Sequence, residues 1–290
     1  MKKAICISLA AILCLTALCA CGKREVTVND VPVASGVAAY IQTQAERSGV
    51  SFETALAEYV AVNSAFAERG LQLTGAEKTE ISQRTNALWR MYEQAYTEKG
   101  ITKQDVLLVE TSAAYRELLM LDYYAADGDA PVEEAWLEAY FAENYVVMQY
   151  TMGFAKKQEK DGGLVAMTET ERAEQLAAFE RAAASVNEGG SLETAAESLG
   201  EVYTQTDAVL VQRENSEYPT GFFEAVQGIE VGKAAVITLE EYVFLVLRED
   251  IKDPERNLFA SYRTDCLRAA KGAEFDAVLA EWAKAYTVKQ

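Results

Sequence analysis

The chain has 290 residues, with 27 Lys plus Arg against 45 Asp plus Glu and a formal net charge of −18. That length suits about two ordinary domains, and the acid excess argues against nucleic acid as a partner, because phosphate binding needs a basic surface. There is no histidine, which excludes Ser-His-Asp and Cys-His nucleophile systems, histidine general bases and every histidine-containing metal site. Half of the residues are hydrophobic and only four are proline, so wholly disordered and proline-rich readings fall away as well.

The first element in chain order is an address. Lys2 and Lys3 precede an apolar run over residues 4–20 that is broken only by Ser8 and Thr16. This is the pattern of a secretory signal peptide, read here as residues 1–20. Leu18-Cys19-Ala20-Cys21 ahead of Gly22 resembles the bacterial lipobox. The resemblance implies a diacylglyceryl group on Cys21, enough acyl chain to hold a protein at a membrane. Four of the five cysteines lie in this segment, leaving Cys266 for the body. No internal disulfide framework is expected, and Cys266 reads as a buried thiol on an apolar helix face.

Residues 25–33 alternate β-branched and polar side chains around Asn29-Asp30, a hairpin signal. Four helices follow. One covers about 34–47 and ends at Ser48-Gly49. Ser51 caps the next, whose stripe is Phe52, Ala55, Leu56, Tyr59, Val60 and Phe66. The third runs from Thr74 or Gly75 to about Glu98. The fourth is capped by Thr102 and reaches about Ala126. Asp127-Gly128-Asp129-Ala130-Pro131 reads as a linker turn, followed by a short helix over 132–144.

Then the pattern changes. Residues 145–154 (YVVMQYTMGF) read as a buried strand, 156–163 as a charged loop and 169–187 as a strong helix. Ser191 caps a shorter helix, and 202–212 read as a strand. A turn at 218–221 leads into a helical turn at 222–226 and two strands, 234–238 and 242–248. Residues 254–284 read as helix with a break near Gly272, and 286–288 as a last strand. The adjacent carboxylates Glu133-Glu134 and Glu240-Glu241 read as solvated pairs. The tyrosines at 115, 123, 124, 140 and 145 suit either a core or a binding cradle.

The middle of the chain resembles the parvulin prolyl-isomerase domain. Three local matches carry the resemblance. Tyr140-Phe141-x-x-Asn144 runs into the strand from Tyr145. Asn187-Glu188-Gly189-Gly190-Ser191-Leu192-x-x-Ala195-Ala196 is similar to the family's glycine-jointed helix pair. Phe222-Phe223-Glu224-Ala225, Ile229-x-Val231-Gly232-Lys233, Val236-x-Thr238 and Tyr242-Val243-Phe244-Leu245-Val246 are similar to its closing run. The short strand before several helices also resembles the chaperone region of the PrsA and SurA foldases. That likeness implies that the C-terminal helix folds back on the N-terminal ones and that residues 286–288 pair with 26–28.

The fold class so implied is α+β: a mostly helical chaperone module from both ends of the chain with an inserted parvulin-like domain. The expected boundaries are 1–20 for the signal, 21–131 for the N-terminal helical region, 132–250 for the insert and 251–290 for the C-terminal helices. Parvulins hold the proline ring in an apolar pocket and use two facing histidines. Here the first histidine position falls on Tyr150 or Gln149 and the second on Val243. The family's glycine-rich loop is missing, since 201–215 contain no glycine. Tyr150 is thus the candidate catalytic residue, and Met152, Phe222, Phe223, Thr238 and Val243 are the candidate proline or peptide contacts.

The implied function is a membrane-anchored extracytoplasmic folding factor, tied to the membrane through Cys21. Its partners would be unfolded or partly folded exported polypeptides, with no cofactor, metal or nucleic acid. The missing histidines make isomerase activity weak or absent. One alternative is an active histidine-free prolyl isomerase, and another is a non-catalytic envelope lipoprotein with one dedicated partner.

Overall fold

The structure, a computed structural model, describes residues 26–158, 164–200, 202–214, 217–239 and 241–290. The signal segment, Cys21 and Glu240 lie outside the described residues. The fold is α+β. The chain forms two compact units, one of residues up to Glu133 together with Arg268–Gln290, the other Glu134–Leu267.

The first unit begins with a hairpin. Asn29 and Asp30 take φ of 49° and 64°, the left-handed pair of a two-residue type I′ turn, and join β1 (Thr27–Val28) to β2 (Val31–Pro32). The last strand of the chain, β9 (Val288–Lys289), pairs with β1 on its other side, Val28 opposite Val288. The Asn29 amide locks the junction: its Nδ2 donates to Ala285 O at 3.1 Å and its Oδ1 accepts from Thr287 N at 2.8 Å. The pairing of the last strand with the first is therefore present, with the paired strand at Val288–Lys289 rather than at residues 286–288.

Four helices complete this unit: α1 (Ser35–Ser48), α2 (Phe52–Glu68), α3 (Gly75–Glu98) and α4 (Lys103–Tyr123). Gly49 ends α1 at φ 72°, a left-handed conformation that favours glycine. Ser51 caps α2, while Thr74 with Glu77 and Thr102 with Asp105 form capping boxes on α3 and α4. Val28, Val33, Val37, Ile41, Phe52, Leu56 and Val60 seal the hairpin onto α1 and α2. Tyr40 and Tyr96 pack edge to face at 5.3 Å under α3 and α4. Glu110 is buried there but satisfied, by Tyr40 Oη at 3.1 Å and Arg84 Nε at 2.8 Å.

The second unit starts with α5 (Glu134–Asn144). It begins two residues later than expected because Ala130 N and Val132 N donate to Tyr123 O and Tyr124 O instead of opening a helix. Then come β3 (Tyr145–Phe154), the strand pair β4 (Lys156–Gln158) and β5 (Leu164–Ala166), α6 (Glu169–Asn187), α7 (Leu192–Glu197) and β6 (Tyr203–Gln212). The stretch expected as a loop after 156 thus opens with a strand, paired Lys156 to Ala166. Next are α8 (Phe222–Gln227), β7 (Ala234–Leu239) and β8 (Tyr242–Glu249). The sheet is antiparallel in the order β6-β3-β8-β7.

Strand alternation gives this sheet two differently covered faces. Phe179, Ala182, Ala183, Val186 and Leu192 from α6 and α7 cover one, meeting Ala234, Val243 and Leu245. Phe222, Phe223, Val226 and Ile229 cover part of the other, meeting Val146, Met148, Ile237, Phe244 and Val246.

The long helix α9 (Leu258–Ala283) corrects two expectations. It starts at Leu258 because Glu255 N binds the Asp253 carboxylate at 2.9 Å and Asn257 turns to φ 43°. It is also unbroken at Gly272, whose missing side chain faces open space apart from Arg268. The second unit runs past residue 250, since Phe259, Arg263 and Cys266 meet α5. The rings of Phe141 and Phe259 lie 5.6 Å apart, and Arg263 binds both Glu134 oxygens at 2.8–3.0 Å. Cys266 is fully buried and its Sγ lies 3.8 Å from Leu137 O.

Candidate functional site

The sheet face that α8 covers is apolar beneath the helix and aromatic beyond it. Even-numbered β3 residues point to this face, so Met148 lies under the helix and Tyr150, Met152 and Phe154 continue past it. Tyr242 and Phe244 of β8 do the same beside them. Ring contacts run without a gap from Phe154 to Tyr242 (5.2 Å), Phe244 (5.9 Å), Tyr150 (6.2 Å) and Tyr203 (5.9 Å). Phe154 is 45% exposed and Tyr203 52%, so the face offers aromatic surface to solvent.

Tyr218 closes the inner end of this row. Its ring stacks on Phe222 at 4.6 Å and an interplanar angle of 5°, and Phe222 in turn meets Phe244 at 4.7 Å. Phe222 is therefore 1% exposed: the ring expected to face a proline faces Tyr218 instead. Phe223 is likewise in the core, with the Arg213 guanidinium 4.6 Å from its ring centre. Arg213 also binds Glu224 Oε1 at 2.9 Å and Asn144 Oδ1 at 3.3 Å, tying the end of β6 to α5 and α8. Beside it lies an open depression of about 410 Å³, lined by Arg213, Glu214, Tyr218, Thr220, Phe222 and Phe223 among others.

Three tyrosine rings cluster here: Tyr150 lies 6.0 Å from Tyr218 and 5.9 Å from Tyr203 between ring centres, and Tyr203 Oη donates to Gln205 Oε1 at 3.2 Å. Burial is the largest cause that raises the Tyr218 and Tyr150 hydroxyls above their ordinary value. Both stay neutral near pH 7 and can act as donors or acceptors but not as general bases.

The expected site residues divide between the two faces. Tyr150, Met152, Phe222 and Phe223 share the α8 face. Val243 does not join them. It is buried on the opposite face, in the core with Phe179 and Leu192 and close to Gly153. Thr238 is exposed on that same side, because Ile237 and Leu239 flanking it turn toward α8. Val243 and Thr238, expected as proline or peptide contacts, are thus placed by strand alternation behind the sheet, away from Tyr150. Sequence reasoning missed Tyr203, Tyr218, Phe154 and Tyr242. The strands carried a signal for two of them, since Phe154 and Tyr242 continue the period-2 aromatic run. Tyr218 sits in a turn and carried none. Among the described residues no group of three or more Cys, Asp or Glu could hold a metal ion, and no helix is long and apolar enough to cross a membrane.

No protein-family model matches the chain, and no curated protein matches it. Solved structures do. The foldase protein PrsA from Lactococcus lactis is 14% identical, with 93% of this chain and 96% of that one covered at a TM-score of 0.43. PrsA from Streptococcus pneumoniae is 12% identical, covering 79% and 81% at 0.41. A peptidylprolyl isomerase (PrsA) from Bacillus cereus is 14% identical, covering 84% and 85% at 0.33.

Proposed function

We propose that the chain is an extracytoplasmic folding factor, lipid-anchored at Cys21, that binds exported polypeptides in extended form on the aromatic face of its second unit. The observation that carries this reading is the aromatic row Phe154, Tyr242, Tyr150 and Tyr203, exposed at its two ends and continuing from the α8 core. Neutral aromatic surface with hydroxyl edges suits unfolded chain, which presents apolar side chains and unpaired backbone groups together. The order of elements and the signal-like first 21 residues, read from the sequence, support the same assignment.

Prolyl isomerisation in this site is weak or absent. The X–Pro rotation barrier is about 18–20 kcal/mol, and lowering it requires binding the twisted amide better than the planar one. Val243, at the other family histidine position, lies on the far face with no polar side-chain atom to offer the twisted amide. A second reading, an active histidine-free isomerase, is favoured by one observation. A substrate carbonyl that displaced Gln205 from Tyr203 would gain the Tyr203 hydroxyl as a donor.

One experiment separates the readings: client aggregation and Ala-Pro peptide exchange by NMR, measured on the same folded protein. The folding-factor reading expects slower aggregation of several unrelated unfolded clients with exchange near the uncatalysed rate. Catalysed exchange that drops at least tenfold in Tyr150→Phe would establish the second reading. Protection of one client alone would overturn both in favour of a dedicated binder.

A further inference from the structure

We propose that the aromatic face selects extended client segments carrying a lysine or arginine beside their apolar residue. This rests on the peptide-binding reading above and names its substrate class. The first ground is the surface itself. Tyr203 and Phe154, about half exposed, flank the half-buried rings of Tyr150 and Tyr242. Ring carbon surface attracts an ammonium or guanidinium through its quadrupole, and does so for no anion.

The second ground is charge. Asp207 is exposed on β6, in the irregular stretch opposite Met148–Tyr150, on the strand that edges the face. The Glu217 carboxylate adds to the rise of both the Tyr150 and the Tyr218 hydroxyls, after burial, and no cation among the described residues opposes it. The two cations described at its borders are committed. Lys156 pairs with Glu241, and Arg213 is held by Glu224, Asn144 and Gln227 over the Phe223 ring. A basic side chain arriving with a peptide therefore meets aromatic carbon and negative potential, whereas an acidic one meets the same negative potential. The chain's net charge of −18 extends that preference to long range and makes it salt-dependent.

The test uses the full chain in mild detergent and three fluorescent peptides of one length, Ala-Lys-Pro-Phe, Ala-Gln-Pro-Phe and Ala-Glu-Pro-Phe, followed by anisotropy. The lysine peptide is expected to bind about three- to tenfold tighter than the glutamine peptide, with the glutamate peptide weakest. Raising salt should narrow the spread. Tyr203→Ala is a surface change that should lower lysine-peptide affinity more than glutamine-peptide affinity. Asp207→Asn should compress the lysine-to-glutamate ratio while the protein unfolds at an unchanged temperature. Equal binding of all three peptides would overturn the selectivity and leave the peptide-binding reading intact. Binding of none, by a chain that still unfolds cooperatively, would overturn that reading as well. Tighter binding of the glutamate peptide would reverse the assigned sign of the site.

Discussion

At the scale of single residues, Cys266 shows how the fold uses a side chain for packing. It is fully buried, in contact with Leu137 O, and burial pushes its thiol up to about 11 from an ordinary value near 9. The folded chain therefore keeps this proton where the unfolded chain has released it, and stability falls as pH rises through the interval between those values. Cys266→Ala leaves a small cavity and should cost about 1–2 kcal/mol at pH 8. That difference between the two proteins should shrink across pH 9 to 11, and urea unfolding at stepped pH measures it. A difference constant with pH would mean that the thiol does not stay protonated in the folded state. Glu134 works with the opposite sign. The Arg263 hydrogen bonds hold its carboxyl below the usual range, so their small, solvent-screened contribution is lost toward acid. Tyr218 is the residue whose place mattered most to the site and was least legible. Nothing in a turn sequence tells that its ring will lie flat on Phe222.

Among the elements, side-chain-capped helix starts were the most legible feature, because their signals are local. Ser51, Thr74, Thr102, Thr168 and Ser191 each accept a backbone N–H from the residue three positions on, the bond that starts a helix. Gly272 misled for the same reason that these succeeded. Glycine weakens a helix locally, but whether it breaks one depends on what the rest of the helix packs against. Phe275, Leu279 and Ala283 are buried on one side of α9 and keep it continuous. An alanine at 272 would put its Cβ in ordinary contact, 3.8 Å from Arg268 Cγ. Gly272→Ala should therefore stabilise by about 0.5–1 kcal/mol. Gly153→Ala should destabilise, since its Cβ would come to 3.0 Å of Phe179 Cζ and 3.3 Å of Val243 Cγ1. Thermal unfolding of the pair, with the two midpoints moving in opposite directions, checks both.

For the whole molecule, the first unit is built from both ends of the chain, and its closure rests on two residues of strand. β9 completes the three-stranded sheet, Asn29 holds it by both amide atoms, and Val288 and Tyr286 pack against the Val28 and Leu56 core. Ending the chain after Ala285 exposes that core and leaves the outer edge of β1 unpaired. We expect a loss of about 2–4 kcal/mol for the apolar area and hydrogen bonds together, read as a lower urea midpoint by the signal of Trp89, which belongs to this unit. An unchanged midpoint would mean that the C-terminal strand is an ornament on an already complete core. The amino-acid sequence by itself determined the helices, the strands of the sheet, the hairpin turn and the aromatic, histidine-free character of the central unit. These follow from neighbours in the chain: periodicity, caps and turn residues. Only the tertiary structure decided that Val243 and Thr238 lie behind the sheet while Tyr203 and Tyr218 join Tyr150 in front of it. Register and strand order are settled by burial summed over distant segments, and a shift of one residue exchanges the two faces.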